Sequence, residues 1–290
     1  MLKKKIIFEI LEWIENNLEQ HFTIDDIAAK SGYSRRNIQL LFKEIVRLPL
    51  GTYVRKRKLC KAATLVRLTT MSMMDIAINL NFDSQQSFSR EFKKLFGCTP
   101  REYRNRDYWD LSELCPSWLT SEDALPECKL VELNTMKLVG NTYSYEVLIY
   151  GDTPDEELLH RRNLLSRFMK TWKQDVLCMF TYSPSLKNEH AISINVSAGV
   201  KDAVNKKPVS SEDFVTESGL YACFHYEGSW DDYSGMSKRL YFEALPEEQL
   251  VRTDGHDMII FSHSETRLEE KENWVVCDFY IPVRKLASKK

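Results

Sequence analysis

The stretch FDSQQSFSREFKKLFGCTPREYR, residues 82–104, has a counterpart in GYSRRNIQLLFKE, residues 32–44, and the pair decides the fold of the first part of the chain. The match extends upstream: Asp26-Ile27-Ala28 through Lys43 is echoed by Asp75-Ile76-Ala77 through Lys93. Each copy places a small residue, Ala28 or Ala77, where two helices must approach closely. A turn residue follows, Gly32 or Asn81, of the two kinds that best tolerate positive φ. Tyr33 and Phe82 come next as apolar plugs. After a turn one residue longer in the second copy, Ser34 and Ser84 are N-caps for another helix, whose buried stripe is Ile38/Phe88 and Phe42/Phe92. Helix, tight turn and helix, with a small residue at the crossing, is the sequence form of a helix-turn-helix.

The outward faces of the second helices carry the chemistry. With Ile38, Leu41, Phe42 and Ile45 turned inward, Arg35, Arg36, Gln39 and Lys43 point out; in the second copy Gln85, Gln86, Ser89, Arg90 and Lys93 do so. Gln reads adenine and Arg reads guanine through bidentate hydrogen bonds, while Lys and Ser more often hold phosphate. One such face alone reads first as a solvated helix surface; two matched faces favour double-stranded DNA. The charge agrees: residues 1–107 carry 20 Lys and Arg against 12 Asp and Glu, and the remainder carries 20 against 30. A basic half suits a polyanion, since phosphate neutralisation supplies most non-specific DNA affinity.

Between the repeats, Leu50 to Leu68 is free of Gly and Pro after Gly51 and rich in Lys, Arg, Ala and Leu, which predicts one long helix. Its span of ~28 Å suits two recognition helices about one DNA turn, ~34 Å, apart. One chain then reads as a monomer what dimeric repressors read with two, and the site is asymmetric. Upstream, Ile6, Ile7, Ile10, Leu11, Ile14 and Leu18 form the apolar stripe of a first helix. Thr23 caps a second, with Asp25 and Asp26 in its first turn and Gly32 at its end. Short helices are predicted at Ser72–Asn79, Ser84–Phe96 and Pro100–Arg104.

After Arg106 the pattern changes. Residues 108–126, with Trp109, Pro116, Trp118 and Pro126 and no periodicity, are predicted to connect a DNA-binding domain (1–107) to a second domain (127–290). There, strands are predicted at Lys129–Leu133, Lys137–Tyr145, Ala191–Ala198, Leu220–Tyr226, Met258–Ser262 and Trp274–Ile281, with helices near Asp155–Val176 and Asp232–Ala244. The expected fold is multidomain: an all-α double helix-turn-helix followed by an α+β domain on an antiparallel sheet.

Composition, at 43% hydrophobic and 28% charged, is that of a globular protein. Glu9, Glu12 and Glu15 interrupt any apolar run near the start that would serve as a signal or membrane segment, which predicts cytoplasmic residence without a membrane partner. The cysteines (60, 98, 115, 128, 178, 223, 277) are scattered without a C-x-x-C pair and read as small hydrophobes. The histidines are dispersed too, and no metal or other cofactor is expected.

The strings 32–44 and 82–104 resemble the DNA-binding domain of the AraC/XylS family of bacterial transcription regulators, the second down to Gly97, Pro100 and Tyr103. YACFHYEG (221–228) and VVCDFYIP (275–282) resemble the GyrI-like family, which serves in several regulators as a receptor for lipophilic or cationic small molecules. The resemblance implies base contacts from Gln39, Gln85, Gln86 and Arg90. It also implies a regulator, activating stress or multidrug-efflux genes, that works with RNA polymerase. Where relatives carry Trp and Arg in the first recognition helix, this chain has Arg36 and Leu40. Arg36 then reads guanine or clamps phosphate, and Leu40 meets a thymine methyl or nothing.

The same resemblance makes Tyr221, Phe224, Tyr226, Trp230 and Trp274, with Glu227 and Asp278 as counter-charges, the candidate walls of a cleft for a small lipophilic effector. The alternatives are that Glu227 bonds a backbone amide in the following turn and that Asp278 lies on a solvent-facing pleat. A docking scaffold is a second option for this domain. A hydrolase using His225, Tyr226 and Glu227 is a third, but no nucleophile elbow, metal-ligand spacing or phosphate loop accompanies it, and the protein is expected not to be an enzyme.

Overall fold

A computed structural model of the chain describes residues 2–109, 111, 113–114, 124–148, 155–201, 211–269 and 272–286. The chain divides into two compact units, one built on Met1–Arg106 and the other on Ala124–Lys290 together with Asp107–Ser112.

The first unit is helical: α1 (Leu2–Asn16), α2 (Ile24–Ser31), α3 (Arg35–Val46), α4 (Leu50–Leu68), α5 (Met73–Asn79), α6 (Gln85–Phe96) and α7 (Pro100–Arg104). Local chemistry sets the boundaries. Thr23 and Asp26 form a reciprocal capping box on α2, and Ser34 and Ser84 cap α3 and α6 by accepting from the Asn37 and Ser87 amides at 3.3 and 3.1 Å. Both turns take the left-handed conformation, Gly32 with φ 69° and Asn81 with φ 55°. Asn81 also donates its side-chain amide to the Glu19 carbonyl at 2.9 Å, which its glycine counterpart has no atoms to do.

Two cores result. Ile7, Ile10, Leu11 and Ile14 of α1 pack with Ile27, Ile38, Phe42 and Tyr53. In the second copy Phe82, Phe88, Phe92, Phe96 and Tyr103 form a chain of ring contacts with centroids 4.5 to 5.6 Å apart. The long helix α4 touches α3 as well as α5, α6 and α7, so it is the beam on which both hairpins sit. Glu15 of α1 clamps that beam, accepting from the Tyr53 hydroxyl at 2.9 Å and from Arg57 at 2.8 and 2.7 Å.

The second unit is an antiparallel sheet of β1 (Tyr108–Trp109), β2 (Cys128–Leu133), β3 (Lys137–Leu148), β4 (Val176–Pro184), β5 (Ala191–Lys201), β6 (Glu212–Val215), β7 (Gly219–Ser229), β8 (Leu250–Thr253), β9 (Asp257–Phe261), β10 (Arg267–Glu269) and β11 (Glu272–Lys285), with helices α8 (Asp155–Trp172) and α9 (Trp230–Arg239). β11 is the hub, paired with β7, β8, β9 and β10; from β9 the order runs β4-β5-β3-β6, and β2 lies beyond β7.

Several expectations need correction. The helix predicted to reach Val176 ends at Trp172, and Val176 opens β4. Residues 176–179 are buried on both faces, so the strand lacks the alternation that marks a half-buried one. α9 starts at Trp230, capped by Ser229, and passes into a π-helical turn at Leu240–Ala244. Tyr108 and Trp109 are strand residues paired with Thr253 and Arg252, where the sequence predicted a connection between domains; two residues carry no readable period. Pro116, Trp118 and Cys115 lie outside the described residues.

Candidate functional site

In the first unit, Arg36, Gln39, Leu40 and Lys43 are exposed along α3, and Gln85, Gln86, Arg90 and Lys93 along α6, with Ser89 half-buried. Leu40 leaves 59% of its surface in solvent, an apolar side chain with no core to join. Arg35 is exposed too, and on the surface it is ion-paired to Asp25 on α2, which links the two helices of the first hairpin. Gln39 and Arg90 line opposite sides of one open cleft of about 600 Å³, whose floor is α4 at Leu50, Gly51, Val54, Arg55 and Lys58. One residue of each outward face, Gln39 of α3 and Arg90 of α6, therefore lines the same cleft. Burial beside Phe22 lowers the Lys58 pKa, its ammonium lying 5.7 Å from the ring centroid. Arg55 stands 3.7 Å from Glu91 of α6.

The seven residues expected to line a cleft in the second unit do not come together. Pairing of β7 with β11 sets Tyr226 opposite Cys277 and Phe224 opposite Phe279, and sets His225 opposite Asp278 and Ser229 opposite Trp274. Side chains alternate along a strand, so Phe224 and Tyr226 share one face of the sheet while Tyr221, Glu227, Trp274 and Asp278 belong to the other. Trp230, the first residue of α9, stacks on Tyr233 at 5.0 Å, and Tyr233 stacks on Phe279 at 5.4 Å, so α9 covers the Phe224 face. On the opposite face Tyr221 is core, packed with Leu138, Leu177, Met179 and Met258. Glu227 is exposed, Trp274 is 44% exposed, and Asp278 sits 2.8 Å from the Nδ1 of exposed His225. Asp278 thus lies on an open pleat with a histidine beside it.

What gathers instead is a cluster of tyrosines on the α9 face. Tyr145 of β3 and Tyr182 of β4 follow the register Tyr145↔Ile194↔Tyr182 on that face. Arg161 of α8 lays its guanidinium 4.2 Å from the Tyr145 ring. Desolvation raises the pKa of Tyr182, Tyr233 and Tyr241 well above 10, yet Tyr182 keeps 37% of its surface accessible. Trp230 Nε1, beside Tyr233, and Glu243 Oε1, in the π-helical turn, are buried without a hydrogen-bond partner, a cost of ~1–3 kcal/mol each. Sequence reasoning missed these tyrosines because they come from four separate elements. Their nearest signal was the i, i+2 repeat Tyr143/Tyr145.

Among the described residues the cysteines are free, and burial pushes the Cys178 thiol to about 12. No cluster of metal-ligating side chains occurs among those residues, and none of their helices is long and apolar enough to cross a membrane.

A tandem helix-turn-helix with two exposed polar helix faces, followed by an antiparallel sheet domain, is the layout of a DNA-binding regulator. Residues 27–106 match a helix-turn-helix domain family and residues 156–284 match the GyrI-like small molecule binding domain. The chain is 49% identical over 225 residues to the HTH-type transcriptional regulator YkgA of Escherichia coli, covering 78% of this chain and 93% of that one. It is 31% identical over 297 residues to the F1 operon positive regulatory protein of Yersinia pestis, covering 98% of this chain and 89% of the relative. Right origin-binding protein of Escherichia coli is 29% identical, with 97% of this chain and 98% of the relative covered. The chain belongs to the AraC/XylS family of transcriptional regulators, in the group that carries a GyrI-like domain behind the DNA-binding domain.

Proposed function

We propose that the protein binds double-stranded DNA as a monomer, places α3 and α6 in successive major grooves of an asymmetric site, and activates stress or efflux genes with RNA polymerase. The supporting observation is the shared cleft: Gln39 and Arg90 flank it from the two recognition helices over the single beam α4. Gln85, Gln86 and Arg90 read bases in one half-site. Gln39 reads the other, with Arg36 beside it and Leu40 available to a thymine methyl. Ser89, Lys43 and Lys93 hold phosphate, and Arg35 keeps its structural pair. Selection of bound DNA from a random pool tests the monomer: an asymmetric site with one protein copy is expected, and a palindrome with two copies overturns it. Arg90→Ala is expected to weaken specific binding by ~1–3 kcal/mol and relax one base position. If Arg36→Ala weakens all sequences equally, Arg36 is a phosphate clamp.

We infer that the effector of this regulator is a small lipophilic molecule held in a bowl between α9 and the sheet, walled by the tyrosine cluster at Tyr182, Trp230 and Tyr233. Glu227 and Trp274, on the opposite face, take no part. Titration of the full chain with tetraphenylphosphonium, followed by Trp fluorescence, is expected to give saturable quenching that Tyr182→Ala abolishes and Glu227→Gln preserves. The reverse pattern would return the site to the Glu227 face.

A further inference from the structure

We infer that the buried chain Tyr241–Asp257–Arg252 ties the bowl to β1, the strand with which the second unit begins, and passes effector binding to the segment that follows Arg106. The inference rests on the bowl being the effector site.

Asp257 is 3% exposed, a position where a carboxylate is costly unless both oxygens are satisfied. Both are. Tyr241 donates its hydroxyl to Oδ2 at 2.8 Å, and Arg252 donates Nε to Oδ1 at 3.1 Å. The remaining nitrogens of Arg252 reach the backbone, Nη1 to the Thr253 carbonyl and Nη2 to the Gly255 carbonyl, each at 3.0 Å. One guanidinium therefore fixes the turn after β8, and the Asp254 amide in that turn donates to the Asp107 carbonyl at 3.2 Å. β1 itself is a two-residue ladder, Tyr108 on Thr253 and Trp109 on Arg252. So short a pairing depends on its surroundings: Arg252 stiffens the partner strand, and the Arg284 guanidinium of β11 lies 4.1 Å from the Tyr108 ring.

The other end of the chain is equally conditional. Tyr241 lies in the π-helical turn, an arrangement that differs from the regular helix by one residue of register and recurs at functional sites. Removal of the Tyr241 hydroxyl from Asp257, by a ligand drawing that side chain into the bowl, leaves a buried carboxylate with half its partners. Arg252 then has to move toward it, at the expense of the two carbonyls that hold the β8 turn. The competing view is a static staple, in which the three residues only brace β8 against β9.

Hydrogen exchange on the full chain separates the two. Tyr241→Phe keeps the ring and the ion pair and removes the hydroxyl's bond to Asp257 together with its contact to Tyr182. A relay predicts about tenfold faster exchange at residues 107–109 and 252–254 with β7 and β11 unchanged; exchange within twofold of the parent overturns it. Arg252→Lys keeps the charge and loses the bonds to the two carbonyls, so the same segment should loosen while tetraphenylphosphonium still quenches; unaltered exchange in this variant also refutes the relay. With that cation bound, the parent chain should show the loosening and Tyr241→Phe no further change; equal added loosening in both counts against it. Absence of saturable quenching in the parent removes the bowl as the site, whereas the exchange of Tyr241→Phe judges the relay without any ligand.

Discussion

Replacing Glu15 by Ala tests whether the clamp on α4 holds the DNA-binding unit together. Glu15 accepts three hydrogen bonds, one from Tyr53 and two from Arg57, and the paired side chains are only 16% and 15% exposed. Charge-assisted bonds of ~1.5–3 kcal/mol each would sum to more than the pair can contribute, because the unfolded chain recovers hydration. Removing one partner of a buried pair costs about 3–5 kcal/mol. The residual exposure lets water reach Arg57, which favours the lower end, ~3 kcal/mol. At 1.4 kcal/mol per tenfold, the opening constant for α1, α3 and α4 should rise about 10²-fold. Hydrogen exchange read by peptide on the full chain measures it, with the sheet of the second unit as internal reference. Glu15→Gln, which keeps an acceptor and loses the charge, should fall between. A change below about fivefold for Glu15→Ala would show that water already compensates Arg57, and the clamp would be decorative.

Two further outcomes follow from single contacts. A Cβ at Gly140 would meet the Ala198 carbonyl oxygen at 1.9 Å and Gly199 Cα at 2.5 Å. Both belong to the backbone of the paired strand, so Gly140→Ala must part β3 from β5, costing ~3 kcal/mol. The melting of the second unit should drop by roughly 6–12 °C; a drop within about 2 °C would mean the strands slide apart cheaply. Hydrogen bonds from the Thr23 backbone and side chain hold the Asp26 carboxyl below its ordinary 3.8. Because the folded value is the lower one, this stabilisation of α2 is complete above the unfolded value and disappears as pH falls through the folded one. Exchange of the α2 amides should therefore distinguish Asp26→Asn from the parent near neutral pH and converge in acid; a constant difference would point to a cause other than titration.

Much of the first unit was legible because its determinants are local. Thr23, Ser34 and Ser84 cap helices with their own neighbours, and Gly32 and Asn81 supply left-handed turns within a few residues of the helices they end. The outward faces of α3 and α6 follow from helical period alone. Internal repetition then supplied the check that one copy lacks. The second unit offered no such check. β4 is buried on both faces and shows no alternation, β1 and β10 are too short to carry a pattern, and the π-helical turn interrupts the period of α9.

The amino-acid sequence by itself determined two helix-turn-helix units on a long helix, the candidate reading residues, and a sheet-based second domain, because short-range chemistry and period encode each of them. Tertiary structure alone decided what those residues do together. It spent Arg35 on Asp25 and joined Gln39 to Arg90 across one cleft. It also divided the expected ligand residues between two faces of the sheet, since neighbouring residues on a strand point in opposite directions. The cluster of Tyr145, Tyr182, Trp230, Tyr233 and Tyr241 forms only where strand register and helix docking bring distant segments together, and no local pattern specifies that convergence.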